Sequence, residues 1–328
     1  MTENTSSSFS PKILFITSTR IGDAILSNGI LNDCLTKRPN AAVTIVCGPL
    51  VKSLYEGVPQ AVEVIALKKQ SYNRHWIALW RRVAGTKWDM VIDLRNSAVS
   101  RLIWARRKYI FGHKIDQSLH KCLQNAQVMK LLQAPDTKMW FSKAQEDFAL
   151  KTVPPGAPVL GVGPTANWIG KTWPIENFIE LVRRLTAPED VFHNWRVAVF
   201  AAPGEERDAK ALLAQIPPHL AIDVIARGNP GEAAATLARC DFYIGNDSGL
   251  MHAAAAAGIP TLGLFGASYP EIYAPYGRQA HYIRTPESFD ELTNFPGYSP
   301  GTLDHSLMTS LNVEAVYQKT HSILRGHG

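Results

Sequence analysis

The amino-acid sequence predicts an α/β protein of two consecutive parallel-sheet domains, and three observations carry that expectation. Short apolar runs recur along the chain and alternate with segments of helical periodicity. A stretch rich in proline and glycine, KTVPPGAP at 151–158, interrupts the alternation near the middle. The chain has 328 residues, more than the roughly 250–300 at which a single core stops growing.

The elements follow in order. KILFIT (12–17) is a short apolar run of the kind that forms a parallel strand buried on both faces. STRIGD and AILSNGILNDCL come next, the latter with helical spacing of its apolar residues. VTIVC (43–47), VEVIAL (62–67), DMVIDL (89–94) and YIFGH (109–113) repeat the strand signature with helix-compatible segments between them. After the proline-rich linker a second series runs through VLGVG (159–163), WRVAVFA (195–201), IDVIA (222–226), FYIG (242–245) and TLGLFG (261–266). The domains are therefore expected at 1–155 and 156–328. The final helical segment, VEAVYQKTHSIL (313–324), is open to packing back on either.

Composition narrows the class. Hydrophobic residues make up 46% and charged residues 19%, the balance of a folded protein rather than a disordered one. Cys34, Cys47, Cys122 and Cys240 are scattered without C-x-x-C or zinc-ligand spacing, which suits buried thiols in a reducing compartment. The opening segment, MTENTSSSFS, lacks the apolar region of a secretory signal. No apolar run approaches the ~20 residues that span a bilayer, so a soluble or peripheral protein is expected. Up to residue 155 there are 22 Lys and Arg against 11 Asp and Glu, a net of +11; the remainder has 12 against 17, a net of −5. A basic first half points to an anionic partner: an acidic sugar, an anionic lipid surface or nucleic acid.

Four segments carry candidate chemistry. GNDSGLMHAAAAAGIPTLGLFG (245–266) reads as strand, polar turn, helix and strand, with Asn246, Asp247 and Ser248 as cap residues and Gly249 allowing close approach to the backbone. A helix start with open N–H groups suits a diphosphate, and His252 shares the first turn with Ser248; a plain capped helix with a satisfied histidine is the alternative. In GVGPTANWIGKTWP (161–174), Lys171 precedes Trp173 and a helix-starting Pro174, and is either a phosphate ligand or a solvated loop lysine. In STRIGDAIL (18–26), Gly22 is expected in the turn and Asp23 at the helix N-cap, at the sheet edge where ligands bind, as a general base or as a plain cap. In AAPGEERDAKALL (201–213), Glu205 is either a ribose ligand or a first-turn acid that complements the helix dipole.

The dinucleotide and P-loop glycine spacings are missing, as are a D-x-D pair and any clustered histidines and carboxylates, so no metal and no cofactor are expected. SYNRHWIALWRRVAGTKW (71–88) and RLIWARRKYIFGHK (101–114) interleave Arg and Lys with Trp and Tyr, and Trp76 and Trp80 share a helix face. That pattern suits an acidic glycan, an anionic membrane or nucleic acid, against the alternative of an ordinary helix with solvated arginines.

R-I-G-D after the first strand, G-x-x-x-x-x-x-x-x-x-K-x-W-P mid-chain and N-D-S-G-x-x-H-x-A-A-A-x-G-x-P-T together resemble glycosyltransferase family 9, the heptosyltransferases of lipopolysaccharide core assembly. The three motifs span residues 12–266 in order, and the last is the most specific. The resemblance implies a glycosyltransferase-B fold, two Rossmann-like parallel-sheet domains facing across a cleft, with no required metal. It makes Asp23 the catalytic base and Lys171 the lysine that meets the donor phosphate. It places donor binding on Asp247, Ser248, Gly249 and His252, with Glu205 as the ribose acid in a loosely matching context. The loop PTANWIG before Lys171 departs from the family pattern, and no motif reads the acceptor side. Arg20, Arg74, Arg81, Arg82 and Arg95 are expected there from the charge of the first half.

The implied reaction moves a heptose from ADP-heptose to the acidic inner core on lipid A, with inversion, at the cytoplasmic face of the inner membrane. An ordinary aspartate has a pKa near ~3.9, so such a base acts late, as the attacking hydroxyl acidifies. A donor other than heptose, and epimerisation or hydrolysis of a sugar nucleotide, are the alternative activities. A non-catalytic binding module would need no base, and a nucleic-acid partner is disfavoured by the acidic second half.

Overall fold

The computed structural model of the protein describes residues 10–326, and most of the polar segment that opens the chain lies outside them. The chain divides into two compact units, 1–142 and 143–328. The division falls ahead of the proline-rich stretch because helix α6 (Lys143–Thr152), which takes in Lys151 and Thr152, packs against α9 (Pro230–Leu237) of the second unit.

The first unit is built from β1 (Lys12–Ile16), α1 (Ile21–Leu26), α2 (Asn28–Thr36), β2 (Ala42–Cys47), β3 (Ala61–Ala66), α3 (Arg74–Val83), β4 (Trp88–Asp93), α4 (Ala98–Leu102), β5 (Ala105–Ile110) and α5 (Lys121–Val128). Its sheet is parallel in the order β3-β2-β1-β4-β5. Leu14 and Ile16 of β1 and Val91 of β4 pack against Leu79 and Val83 of α3, Val99 of α4 and Ile103 at its C-cap. The expected helix through AILSNGILNDCL is two helices that meet at Ser27, whose hydroxyl donates to the Ala24 carbonyl at 2.6 Å. The expected strand YIFGH begins earlier, at Ala105. Strand β5 is an edge strand with Arg106, Arg107 and Lys108 exposed, so its sequence lacks the apolar run that marks a buried strand.

The second unit continues through β6 (Val159–Gly163), α7 (Ile175–Leu185), β7 (Arg196–Ala201), α8 (Glu206–Leu213), β8 (Ala221–Ile225), β9 (Phe242–Asn246), α10 (Gly249–Ala256), β10 (Thr261–Phe265), α11 (Pro270–Tyr273), β11 (Ala280–Arg284), α12 (Phe289–Thr293) and α13 (Val313–Arg325). The parallel order is β11-β10-β9-β6-β7-β8. Strand β11 escapes sequence reading for the reason β5 does: it is a partly exposed edge. The last helix, α13, packs on α7 and β11 and sends Val316 and Ile323 into the second core.

These strand orders position the sites. In each unit the chain winds outward from its first strand in one direction and then returns to the other side of it. The reversal falls between β1 and β4 in the first unit and between β6 and β9 in the second. Loops splay apart at the carboxyl ends of such strand pairs, and ligands bind there.

Candidate active site

In the second unit the reversal point gathers most of the expected donor residues. Asn246 ends β9 fully buried and fastens the neighbouring loop: its side-chain oxygen accepts from Trp173 N at 3.0 Å and its Nδ2 donates to the Pro164 carbonyl at 2.9 Å. Trp173 is a packing residue, buried edge-on against Phe178 with its indole N–H donating to the Leu311 carbonyl at 2.7 Å. Pro174 serves as the N-cap of α7 rather than its first residue. Between the two anchors the backbone makes a short 3₁₀ turn (Ile169–Lys171) that delivers Lys171. Its ammonium stands 3.3 Å from Asp247 Oδ2, and the other Asp247 oxygen lies 3.9 Å from His252 Nε2.

Helix α10 starts beside this cluster. Ser248 is its N-cap residue in extended geometry, yet its side chain caps nothing, so the first-turn N–H groups remain open. The helix ends as expected at Gly258, which adopts φ +85. Two further hydroxyls are buried at this strand end. Tyr243 Oη lies beside Ser248, and Thr165 Oγ1 follows β6; none of the three makes a well-formed hydrogen bond among the described residues. Burial drives the Tyr243 phenol far above its ordinary pKa, with the Ser248 hydroxyl acting in the opposite direction. A buried, unpaired hydroxyl costs about 1–3 kcal/mol, so a group of them at a ligand-binding edge marks a place where a polar ligand restores the bonds. Gly163 and Gly245 are direct neighbours across the β6–β9 pair, and the Tyr243 hydroxyl fills the space above both.

Glu205 is the N-cap residue of α8, without a side-chain cap bond, and is half-buried. Its neighbour Glu206 reaches back ahead of the helix: its carboxylate accepts from Gly204 N at 3.0 Å, which holds its pKa below the usual glutamate range. Glu205 is thus left for another partner, near enough to Tyr243 to act on its charge.

In the first unit, Asp23 is not the N-cap of α1. Arg20 holds that position, and Asp23 is the third residue of the helix, because the tight turn is made by residues 17–20 and Gly22 is already helical. Asp23 Oδ1 is buried and has no hydrogen-bond partner among the described residues. Across the reversal point, Asp93 ends β4 completely buried. It accepts from Arg95 N (2.8 Å), Ser97 N (2.8 Å), Ser97 Oγ (2.7 Å) and Ser100 Oγ (2.6 Å). That bracing holds Arg95 with its guanidinium 5.0 Å from the centre of the Trp76 ring. Arg95 and Trp76 line a recess of about 450 Å³ with Thr19, Lys68, Lys69 and His75.

The five expected arginines separate. Arg95 is in the recess, and Arg74 lines a shallow neighbouring hollow with Lys69. Arg20 is exposed at the start of α1. Arg81 and Arg82 are not with them: they sit in the last turn of α3, about 10 Å of helix beyond Arg74, and Arg82 is ion-paired with Glu63. Lys68, Lys69, Asp93 and Tyr243 were missed by sequence reading, and Asn246, expected as a cap residue, instead ends β9 and anchors the neighbouring loop. For the first two, a Lys-Lys pair directly after a strand was the available signal.

The family model for glycosyltransferase family 9 (heptosyltransferase) matches residues 104–294. The chain belongs to this family. Lipopolysaccharide heptosyltransferase 2 of Salmonella typhimurium is 21% identical, over 97% of this chain and 99% of its own length. Among solved structures, ADP-heptose lps heptosyltransferase II of E. coli superposes with a TM-score of 0.73 at 18% identity, covering 96% of this chain and 99% of its own. E. coli heptosyltransferase WaaC with ADP-2-deoxy-2-fluoro heptose gives 0.68 at 19% identity, covering 95% and 99%. The two parallel-sheet units are those of the glycosyltransferase-B fold, and the family member is a glycosyltransferase. Among the described residues no helix is long and apolar enough to cross a membrane.

Proposed function

We propose that this glycosyltransferase moves a heptose from ADP-heptose to the inner core of lipopolysaccharide, by direct displacement that inverts the anomeric centre and without a metal ion. The observation that carries the reading is the Lys171–Asp247–His252 cluster at the open amino end of α10. A cation, free N–H groups and the positive end of a helix together suit the diphosphate of a nucleotide sugar. The donor identity is supported by the Salmonella relative, a lipopolysaccharide heptosyltransferase, and by the E. coli structure that carries an ADP-heptose analogue.

In this reading Glu205 holds the ribose, and Asp247, Ser248, Gly249 and His252 frame the diphosphate. The acceptor hydroxyl oxygen attacks the anomeric carbon as the bond from that carbon to the diphosphate oxygen breaks. ADP departs with its charge met by Lys171 and the helix start, while Asp23 takes the hydroxyl proton. An unpaired, buried carboxylate oxygen is well suited to that last task. The acidic core sugar is received by the recess of Arg95, Lys68 and Lys69, with Arg74 and Arg20 nearby, and the enzyme works at the cytoplasmic face of the inner membrane, against its anionic lipid.

The test is transfer from ADP-heptose to a heptose-deficient core acceptor, with product stereochemistry read by NMR and chelator added in a parallel reaction. Asp23→Ala is expected to lower turnover by roughly 10²–10⁴-fold with donor affinity nearly intact. Undiminished turnover removes Asp23 from the chemistry. Consumption of donor without acceptor would favour a hydrolase, and chelator inhibition would restore a metal to the mechanism.

A further inference from the structure

Helices α3 and α4 form one layer over the first sheet, and their buried sides are accounted for by Leu79, Val83, Val99 and Ile103. The opposite side presents large apolar groups to solvent: Ile77 is 53% exposed, Trp80 40%, Leu102 71% and Trp104 58%. The segments that carry these groups are held together. Ile77 and Trp80 are three apart on α3 and so share a face. The Trp88 indole donates to the Val83 carbonyl at 2.9 Å, and Trp88 N reaches the Trp104 carbonyl at 3.5 Å. That chain of contacts ties Trp104, and Leu102 two residues before it, to the end of α3 where Trp80 lies.

The charge around these groups is predominantly positive, with Glu63 paired to Arg82 as an exception. Residues 71–110 hold nine Arg and Lys and two acids, Asp89 and Asp93. Asp93 is fully buried, and half-buried Asp89 accepts from Lys12 N at 2.9 Å, so cations dominate the exposed charge of this stretch. Arg81, Lys87, Arg101, Arg106, Arg107 and Lys108 are exposed. The core of an ordinary protein–protein contact is depleted of charged residues, and lysine is scarce across such a contact. Exposed tryptophans, an isoleucine and a leucine ringed by an excess of cations match the boundary of an anionic bilayer, where indoles settle at headgroup depth and Arg and Lys meet lipid phosphates.

We propose that this outer face of α3 and α4 docks the protein on an anionic phospholipid surface, with Trp80, Leu102 and Trp104 entering the headgroup layer. The proposal rests on the lipid-linked acceptor reading for the identity of the membrane. It also gives that reading a geometry: α3 begins at the basic recess with His75 and Trp76 and ends at the docking face, so one helix joins acceptor recess and lipid contact.

The experiment is sedimentation of the full chain with vesicles of phosphatidylcholine alone and of phosphatidylcholine mixed with phosphatidylglycerol in equal parts. Binding is expected to the mixed vesicles and to fall by at least roughly tenfold in Trp80→Ser/Trp104→Ser, since each lost indole removes a large interfacial contact. Should that variant melt early, Ile77→Ser/Leu102→Ser serves in its place, and brominated lipid must quench tryptophan fluorescence of the unaltered protein. Unchanged vesicle affinity in a folded variant, or equal binding to neutral vesicles, overturns the proposal. So does a dimer of the unaltered protein in ultracentrifugation that the same substitutions dissociate, because a second copy would then cover the face. Turnover on a delipidated, water-soluble acceptor is expected to be unchanged in the variant. A protein that docks but transfers no heptose refutes the enzymatic reading and leaves the docking standing.

Discussion

Lys171 and Asp247 form a mostly buried ion pair, 3.3 Å from ammonium to carboxylate, at the point where the second sheet reverses its winding. The pair holds a cation in place before any ligand arrives, and a preplaced charge costs no reorganisation when a leaving group develops its own. Lys171→Met keeps the length and removes the charge. It is expected to cut kcat by roughly 10²–10³-fold, the usual cost of losing one stabiliser of transition-state charge. Asp247→Asn, which leaves the ammonium present but untethered, should fall between that variant and the unaltered enzyme. Single-turnover kinetics at saturating donor check both, and equal rates for all three would mean Lys171 never meets the reacting phosphate.

Asp93 illustrates what the sequence conceals. DMVIDL is legible as a strand, and its last acid looks like an ordinary strand end. In the structure it receives four hydrogen bonds and holds the loop that carries Arg95. Asp93→Ala leaves those donors unpaired in a buried place, at about 1–3 kcal/mol for each that finds no water. A lower melting temperature and a raised KM for acceptor with donor KM unchanged are expected. Ser97→Ala, which removes one donor only, should show a weaker form of the same pattern.

The two α/β units, their buried strands and the cap-helix start at Ser248 were legible because each depends on local pattern: apolar runs, cap residues, a glycine after a helix. Edge strands β5 and β11 were not, since partial exposure removes the pattern. Strand order was not either, and with it went the reversal points that bring Asn246 beside Pro164 and set Asp93 across from β1. Arg81 and Arg82 were grouped with Arg95 by charge alone, which records sign but not distance along a helix. Asp23 was found by motif, and its place in the first turn rather than at the cap needed the backbone path through residues 17–20.

All four cysteines are buried and free, in agreement with the sequence expectation for thiols that behave as small apolar groups. Burial raises every one of them: Cys47 is pushed up to about 12, and Cys34, Cys122 and Cys240 also move upward. A raised pKa keeps the thiol protonated, and only the thiolate attacks. The folded protein at pH 8 is therefore expected to be inert to a disulfide reagent, with four thiols appearing on denaturation. A rapid reaction of one thiol in the folded state would show that its surroundings open.

The glycine pair under Tyr243 allows a sharper test, because it couples a backbone position to a hydroxyl. A Cβ on Gly163 would sit 2.0 Å from Tyr243 Oη and 3.0 Å from the ring carbon that bears it. Both groups are buried, and a Cβ on Gly245 would likewise come within 2.4 Å of the same oxygen, so the tyrosine packs directly over both glycines. Gly163→Ala is thus an overpacking change, expected to cost about 1–3 kcal/mol. Tyr243→Phe removes the offending oxygen and a hydroxyl that lacks a well-formed hydrogen bond, so by itself it should be nearly neutral for stability. The double variant should then recover most of the loss, giving a coupling energy between residues in contact of about 0.5–3 kcal/mol. Denaturant unfolding of the four proteins measures it. Additive effects would mean that the hydroxyl points elsewhere, away from the two glycines and from Ser248.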